Sequence, residues 1–413
     1  MPRTSWPLAL AAALFLFHSS LQAQAPATTP PPIDTGLTLA QALSRAEAGS
    51  PLLAAARLEL SANDGTVLQA GALPNPAFNA ELEDFRKATR TTTTTVSIPL
   101  ELGGKRAARV TAAERGQALA GAELENARAT VRAAVIGAYF DLLIAQERVQ
   151  VAASAEEIAA RGTASAERRV QAGRISPVDA TRAQVAQANA VLAHSEARAT
   201  LENARRQLAL QWGADTADFA RAGGAVEALP QRAPLTALLA RLDQSPAMRA
   251  SQLALEHRRA LVDIELSKAT PDLSLTVGAK RDNDLGRTQA VVGLSVPLPL
   301  FDRNQGNVQE ANQRALKAED EHRGRQLALR HELRNAVAQL ETARNTEQQL
   351  RQVVLPAATQ AQQAATRGFD AGKFNQLDVL DAQRTLLEAR ERLLDAQASG
   401  WQAASAIDRI LGE

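Results

Sequence analysis

"QAGRISPVDATRAQ" runs from Gln171 to Gln184, and "DAGKFNQLDVLDAQ" runs from Asp370 to Gln383, half a chain later. Both interrupt long Ala-rich stretches that otherwise read as helix. Gly173 suits the left-handed residue just past a helix end, where a side chain would be strained. Ser176 then fits an N-cap, Pro177 the first helical position and Asp179 the first turn, where a carboxylate favours the helix dipole. In the second stretch Gly372 ends a helix, Asn375 caps the next and Asp378 sits in its first turn. Each stretch therefore predicts two antiparallel helices meeting at a tip.

Working outward from the tips, the two halves of the chain match in order. "GSPLLAAARLEL" (Gly49 to Leu60) corresponds to "QSPAMRASQLAL" (Gln244 to Leu255), "NPAFNAEL" (Asn75 to Leu82) to "TPDLSLTV" (Thr270 to Val277), and "VSIPLEL" (Val96 to Leu102) to "LSVPLPL" (Leu294 to Leu300). Four ordered blocks at nearly constant offset are the mark of an internal duplication. The chain divides into a first repeat over 37–234 and a second over 235–413. Each opens with a helix, about Leu37 to Leu73 and about Leu235 to Ala269, and Thr38 with Gln41 reads as a capping box. A β-hairpin follows in each, at 74–102 and 271–301. In "AFNAELEDF" one face carries Phe78, Ala80 and Leu82, the other Asn79, Glu81 and Glu83. This period-2 alternation fits half-buried soluble strands and outer-membrane barrel strands alike. Few aromatic residues (Phe78, Phe85, Phe301) flank the strands. A long helical hairpin completes each repeat, with tips near 173–179 and 372–378. In the first, Leu124, Ala127, Val131, Ala134 and Ala138 step by threes and fours, a seam for close helix packing. Such a helix reaches roughly 100 Å.

Composition narrows the function. Of 413 residues 45% are hydrophobic but only 3% aromatic, which favours close helix contacts over a thick globular core. Lys and Arg number 46 against 45 Asp and Glu, so no nucleic-acid footprint is present. The absence of cysteine excludes disulfides, thiolate metal sites and lipidation on cysteine. Residues 1–25 read as a secretory signal peptide, with Arg3, an apolar run from Leu8 to Phe17, and small residues at Ala23 and Ala25. Residues 26–36 read as a Pro-rich linker. No later segment reads as a transmembrane helix, leaving an exported soluble protein or a β-barrel. His194, His257, His322 and His331 are better read as surface residues than as metal ligands, since His322 and His331 fall on opposite sides of one helix. No metal or cofactor site and no enzyme motif is read.

Two hairpins, long helices, duplication and the tip residues Arg168, Gly173, Asp179 and Arg367, Gly372, Asp378 together resemble the TolC-like outer-membrane efflux family. "LPNP" (Leu73 to Pro76), "ELGGKR" (Glu101 to Arg106) and "VPLPLFDRNQGN" (Val296 to Asn307) are similar to its CzcC-type branch, associated with cobalt, zinc and cadmium efflux. The resemblance implies an internally duplicated α+β membrane protein, three protomers of which share one twelve-stranded barrel continued by an α-helical barrel in the periplasm. It implies a passive conduit, working with a periplasmic adaptor and an inner-membrane resistance–nodulation–division pump. It also implies that the tips carrying Gly173, Ser176, Asp179, Gly372, Asn375 and Asp378 dock the adaptor. Asp378 and Asp381 would line an acidic constriction, six carboxylates under threefold symmetry. The first copy has Arg182 where the second has Asp381, and Val170 and Phe369 stand in the tips without a tyrosine. A channel for drugs or secreted polypeptides, and a non-conducting periplasmic coiled-coil scaffold, are the alternative expectations.

Overall fold

The structure, a computed structural model, describes residues 36–226 and 228–413; the expected signal peptide and all of the linker but Gly36 lie outside them. The first half runs α1 (Leu39–Gly49), α2 (Pro51–Ala70), β1 (Ala77–Glu83), β2 (Thr91–Leu100), α3 (Lys105–Gln171) and α4 (Pro177–Leu210). The second runs α5 (Leu235–Arg241), α6 (Pro246–Lys268), β3 (Leu273–Asp282), β4 (Arg287–Ser295), α7 (Gln305–Gln349), α8 (Leu355–Asp370) and α9 (Gln376–Leu411). The capping box at Thr38 and Gln41 forms as the sequence implies.

Two expectations need correction. The single opening helix of each half is two helices, because Ser50 and Ser245 leave the helical region as N-caps and Pro51 and Pro246 start new helices behind them. A proline cannot donate to the preceding turn and pushes the residue before it towards extended backbone. The second long helix is also not uniform. It widens into a π turn at Leu350–Val354, directly before Pro356, whose ring would clash with the carbonyl of a regular turn. The corresponding α3 has no proline and runs 67 residues unbroken.

The strands form one antiparallel sheet in the order β1-β2-β3-β4. Its register puts Phe78, Val96, Val277 and Val292 in one row and Ile98, Leu275 and Leu294 in the next. Those rows share a face with Leu82, Leu100 and Leu273. The other face carries Asn79, Glu81, Thr93, Thr95, Ser97, Thr276, Lys280 and Gln289, with Ser97 and Thr276 hydrogen-bonded across the ladder at 3.0 Å. The apolar face is uncovered: Phe78 is 71% exposed, Val292 74% and Leu294 67%. Below the sheet the helices keep the same order, α2 against α3, α3 against α6 and α6 against α7. Each strand therefore continues into a helix at its own place in the row.

The hydrophobic core lies away from the sheet, at the middle of the long helices. Val131, Val135, Tyr139, Phe140 and Leu142 of α3 pack with Leu53, Leu208 and Phe219. Leu329, Leu333 and Leu340 of α7 pack with Ile407 and Ile410 of α9. Trp401 touches both clusters and stacks on Phe140. By length and hydropathy α3 could cross a membrane, but 56% of its most apolar window is buried in this core, so packing accounts for its apolarity. The connection after α4 is pinned to both halves. Tyr139 donates its hydroxyl to the carbonyls of Leu37 and Gly223, while Arg232 grips Asp408 through two hydrogen bonds of 3.0 and 2.6 Å. Burial pushes the Asp408 carboxyl above the usual carboxylate range, against the pull of Arg232.

Candidate functional site

The two tips are built from the same backbone. In the first, Gly173 takes φ +67° and its N–H donates to Val170 O at 2.9 Å, while Arg174 N–H reaches Arg169 O at 2.8 Å. In the second, Gly372 takes φ +72°, its N–H donates to Phe369 O at 3.0 Å, and Lys373 N–H reaches Gly368 O at 2.8 Å. A Cβ at either glycine would meet nothing within 4 Å. The requirement for glycine is therefore conformational rather than steric.

The caps differ. Ser176 Oγ accepts one N–H, from Val178 at 3.2 Å. Asn375 accepts the Asp378 N–H at 2.9 Å while Asp378 accepts the Asn375 N–H at 2.9 Å, a reciprocal box. Asp378 thus stabilises the start of α9 directly, by both hydrogen bonding and the helix dipole. Asp179, at the matching place, forms an ion pair with Arg182 at 3.7 Å. Asp378 and Asp381 lie three apart in α9, on one helix face, and both are solvent-exposed.

A contact between the tips carries a residue that sequence reading missed. The Arg169 guanidinium lies 3.8 Å from the centre of the Phe369 ring, donates to the Phe369 carbonyl at 3.2 and 3.3 Å, and stands 3.8 Å from Asp370. It joins the end of α3 to the end of α8 and is itself three-quarters buried. The position matching Arg169 in the second repeat is Gly368, where a Cβ would clash with the Phe374 ring. One copy thus uses the site for a long cation and the other for a ring packed on bare backbone. The repeat comparison contains that difference; its partner is two hundred residues away in sequence and shows only in three dimensions.

The histidines are scattered. His194 pairs with Glu156 at 2.6 Å, His322 contacts Ser251 at 3.0 Å and His331 contacts Asn335 at 3.0 Å. His257 lines a groove of about 820 Å³ between α2, α3 and α6, and burial lowers its pKa. Among the described residues no group of three or more His, Asp or Glu side chains is placed to hold a metal ion.

Comparison with known proteins identifies the fold. The family model for outer membrane efflux proteins matches residues 42–214 and again 239–413. The chain belongs to the outer membrane efflux protein family. It is 50% identical over 376 residues to the cobalt-zinc-cadmium resistance protein CzcC of Cupriavidus metallidurans, covering 91% of this chain and 90% of that protein. It is 27% identical over 283 residues to the nickel-cobalt-cadmium resistance protein NccC of Alcaligenes xylosoxydans xylosoxydans, covering 67% and 64%. The crystal structure of the outer membrane protein VceC from Vibrio cholerae superposes with a TM-score of 0.77 at 21% identity, over 91% of this chain and 96% of that one. The fold is thus the TolC-like outer-membrane channel fold, and the efflux protein is a conduit of the outer membrane rather than an enzyme.

Proposed function

We propose that this efflux protein is the outer-membrane exit duct of a tripartite pump for divalent transition-metal cations. In this reading it works as a homotrimer, with two repeats, 37–234 and 235–413, in each copy. The supporting observation is the sheet. One face is apolar and uncovered, the other polar, and the outer edges of β1 and β4 have no partner strand among the described residues. A twisted sheet of this kind has no stable isolated form in a membrane, since every backbone N–H and C=O must be satisfied there. Three copies joined β4 to β1 give twelve strands and no free edge, with lipid outside and a polar lumen inside. Helices α2 and α7 occupy the matching edges of the wall below. The alternative of a non-conducting periplasmic coiled-coil scaffold leaves that apolar face in water.

At the far end, Gly173, Ser176, Asp179, Gly372, Asn375 and Asp378 form the surface that docks a periplasmic adaptor, behind which stands an inner-membrane pump of the resistance–nodulation–division class. Asp378 and Asp381, repeated three times, make an acidic constriction that admits cations. The kinship with CzcC and NccC, whose names specify cobalt, zinc, cadmium and nickel, supports metal ions as cargo over drugs or polypeptides. Deletion of the gene tests this: tolerance to zinc, cobalt or cadmium should fall and return with the intact gene. Tolerance unchanged for all of these ions would remove the metal assignment. In planar bilayers Asp381→Ala should weaken block of the closed pore by divalent cations; identical block would remove the acidic constriction.

A further inference from the structure

The apolar row of β4 does not end where its ladder ends. Leu294 is followed at the same parity by Val296, Leu298 and Leu300, and then by Phe301. Pro297 and Pro299 lie between them and have no N–H to give, so this segment cannot extend the sheet. Val296 is 42% exposed, Leu298 76%, Leu300 67% and Phe301 91%. The run lies at the sheet–helix junction, beside which Leu73 and Leu102 are also exposed.

Cations accumulate at the same junction. Lys105, Arg109 and Lys268 are engaged by Asp272, Glu101 and Glu265. Arg106, in the first turn of α3, and Arg303, just before α7, make no ion pair among the described residues. Arg106 donates to the Gly71 carbonyl at 2.8 Å and Arg303 to the Pro299 carbonyl at 3.2 Å. Both side chains belong to exposed residues. Each guanidinium has five N–H donors, so most of its capacity faces solvent. The neighbouring Asp302 carboxylate is occupied by the Asn304 N–H at 2.9 Å.

We propose that Leu298, Leu300 and Phe301, with Arg106 and Arg303, form a phospholipid-binding collar at the inner rim of the barrel. The proposal rests on the barrel reading above. The apolar side chains enter the boundary between headgroups and acyl chains, where such residues bind by buried area. The guanidiniums take the lipid phosphates, to which their planar fork is matched. The collar does the work that aromatic girdles do in other barrels, in a chain with only 3% aromatic residues and no cysteine for a lipid anchor.

The absence of cysteine makes the test clean, because a single introduced cysteine carries the only nitroxide label. The full-length Leu298→Cys, Phe301→Cys and Val292→Cys proteins are reconstituted in vesicles of phosphatidylethanolamine with phosphatidylglycerol, with Glu310→Cys as a periplasmic reference. Labels at 298 and 301 should collide with oxygen more often than with a water-soluble nickel complex, as the label at 292 does, and opposite to the label at 310. In native mass spectra the double variant Arg106→Gln with Arg303→Gln should retain phosphatidylglycerol roughly tenfold less than the parent. Labels at 298 and 301 dominated by the nickel complex, with 292 still in lipid, would overturn the collar while leaving the barrel intact. Labels shielded from both reagents would mean that a neighbouring copy covers the segment, which also overturns it. Unchanged lipid retention would overturn the phosphate contact, and a label at 292 dominated by nickel would remove the barrel itself.

Discussion

At the first tip Arg182 stands one turn from Asp179 and pairs with it; at the second, Asp381 holds the place of Arg182 and Asp378 turns to the main chain of Asn375. The backbones are alike because glycine at φ near +70° and a polar N-cap satisfy the ends of both helices. Charge, by contrast, is free to diverge once the caps are satisfied. The first tip cancels its acid locally. The second keeps Asp381 exposed and without an ion pair among the described residues, since Arg384, one turn on, is drawn to Glu388 at 2.8 Å. Equal folds thus leave one tip rich in arginine, with its acid paired, and the other with an unpaired exposed carboxylate.

A second comparison lies where the halves meet. The connection after α4 is held to the first half by Tyr139, Gln146, Arg205 on the Phe219 carbonyl and the exposed Arg45–Asp218 ion pair, and to the second by Arg232 on the buried Asp408 carboxylate. The largest expected effect lies here. Arg232→Met leaves a buried carboxylate without its counter-charge and should destabilise the fold by about 3 kcal/mol at neutral pH, read as a lower melting temperature of the helical circular dichroism. Burial raises the folded pKa of Asp408, so the folded state holds its proton more tightly than the unfolded chain does. The deficit should therefore shrink as pH falls through that raised pKa. A loss independent of pH would assign the effect to packing instead.

Gly173→Pro and Gly372→Pro come next. Each forces φ to about −65° and removes an N–H bond to Val170 or Phe369, a change worth about 3 kcal/mol within the turn. Adaptor capture by the purified channel should fall for both variants; normal capture by both would separate the turns from docking. Arg169→Ala tests whether the tips move as one. Loss of a ring contact and two charge-assisted bonds should release about 2 kcal/mol of coupling, broadening the spin-label distance distribution between Arg174→Cys and Lys373→Cys. A distribution as narrow as the parent's would make the contact incidental. The smallest effect is at the caps: Ser176→Ala should cost about 1 kcal/mol and the double variant Asn375→Ala with Asp378→Ala somewhat more, because it breaks two bonds rather than one. Hydrogen exchange in the first turns of α4 and α9 reads that difference.

Local chemistry was readable in the sequence; long-range chemistry was not. Strand faces follow from period-2 alternation, and the tip turns from glycine, cap and dipole. The Ser–Pro pair read as a helix start at Ser176 also stands at Ser50 and Ser245, where apolar periodicity continued across it and masked the break. Pro356 carried a warning of the π turn, yet proline alone does not say whether a helix ends, kinks or widens. The Arg169–Phe369 contact joins two repeats whose approach depends on how α3 packs against α9, and no local pattern encodes that.

The proposed channel rests on closure of the open sheet by identical copies, and the most direct measurement is native mass spectrometry of the full-length protein released from detergent micelles. A trimer, reduced to monomer when β1 or β4 is deleted, is the expected result. A stable monomer that retains its strands in detergent would contradict it.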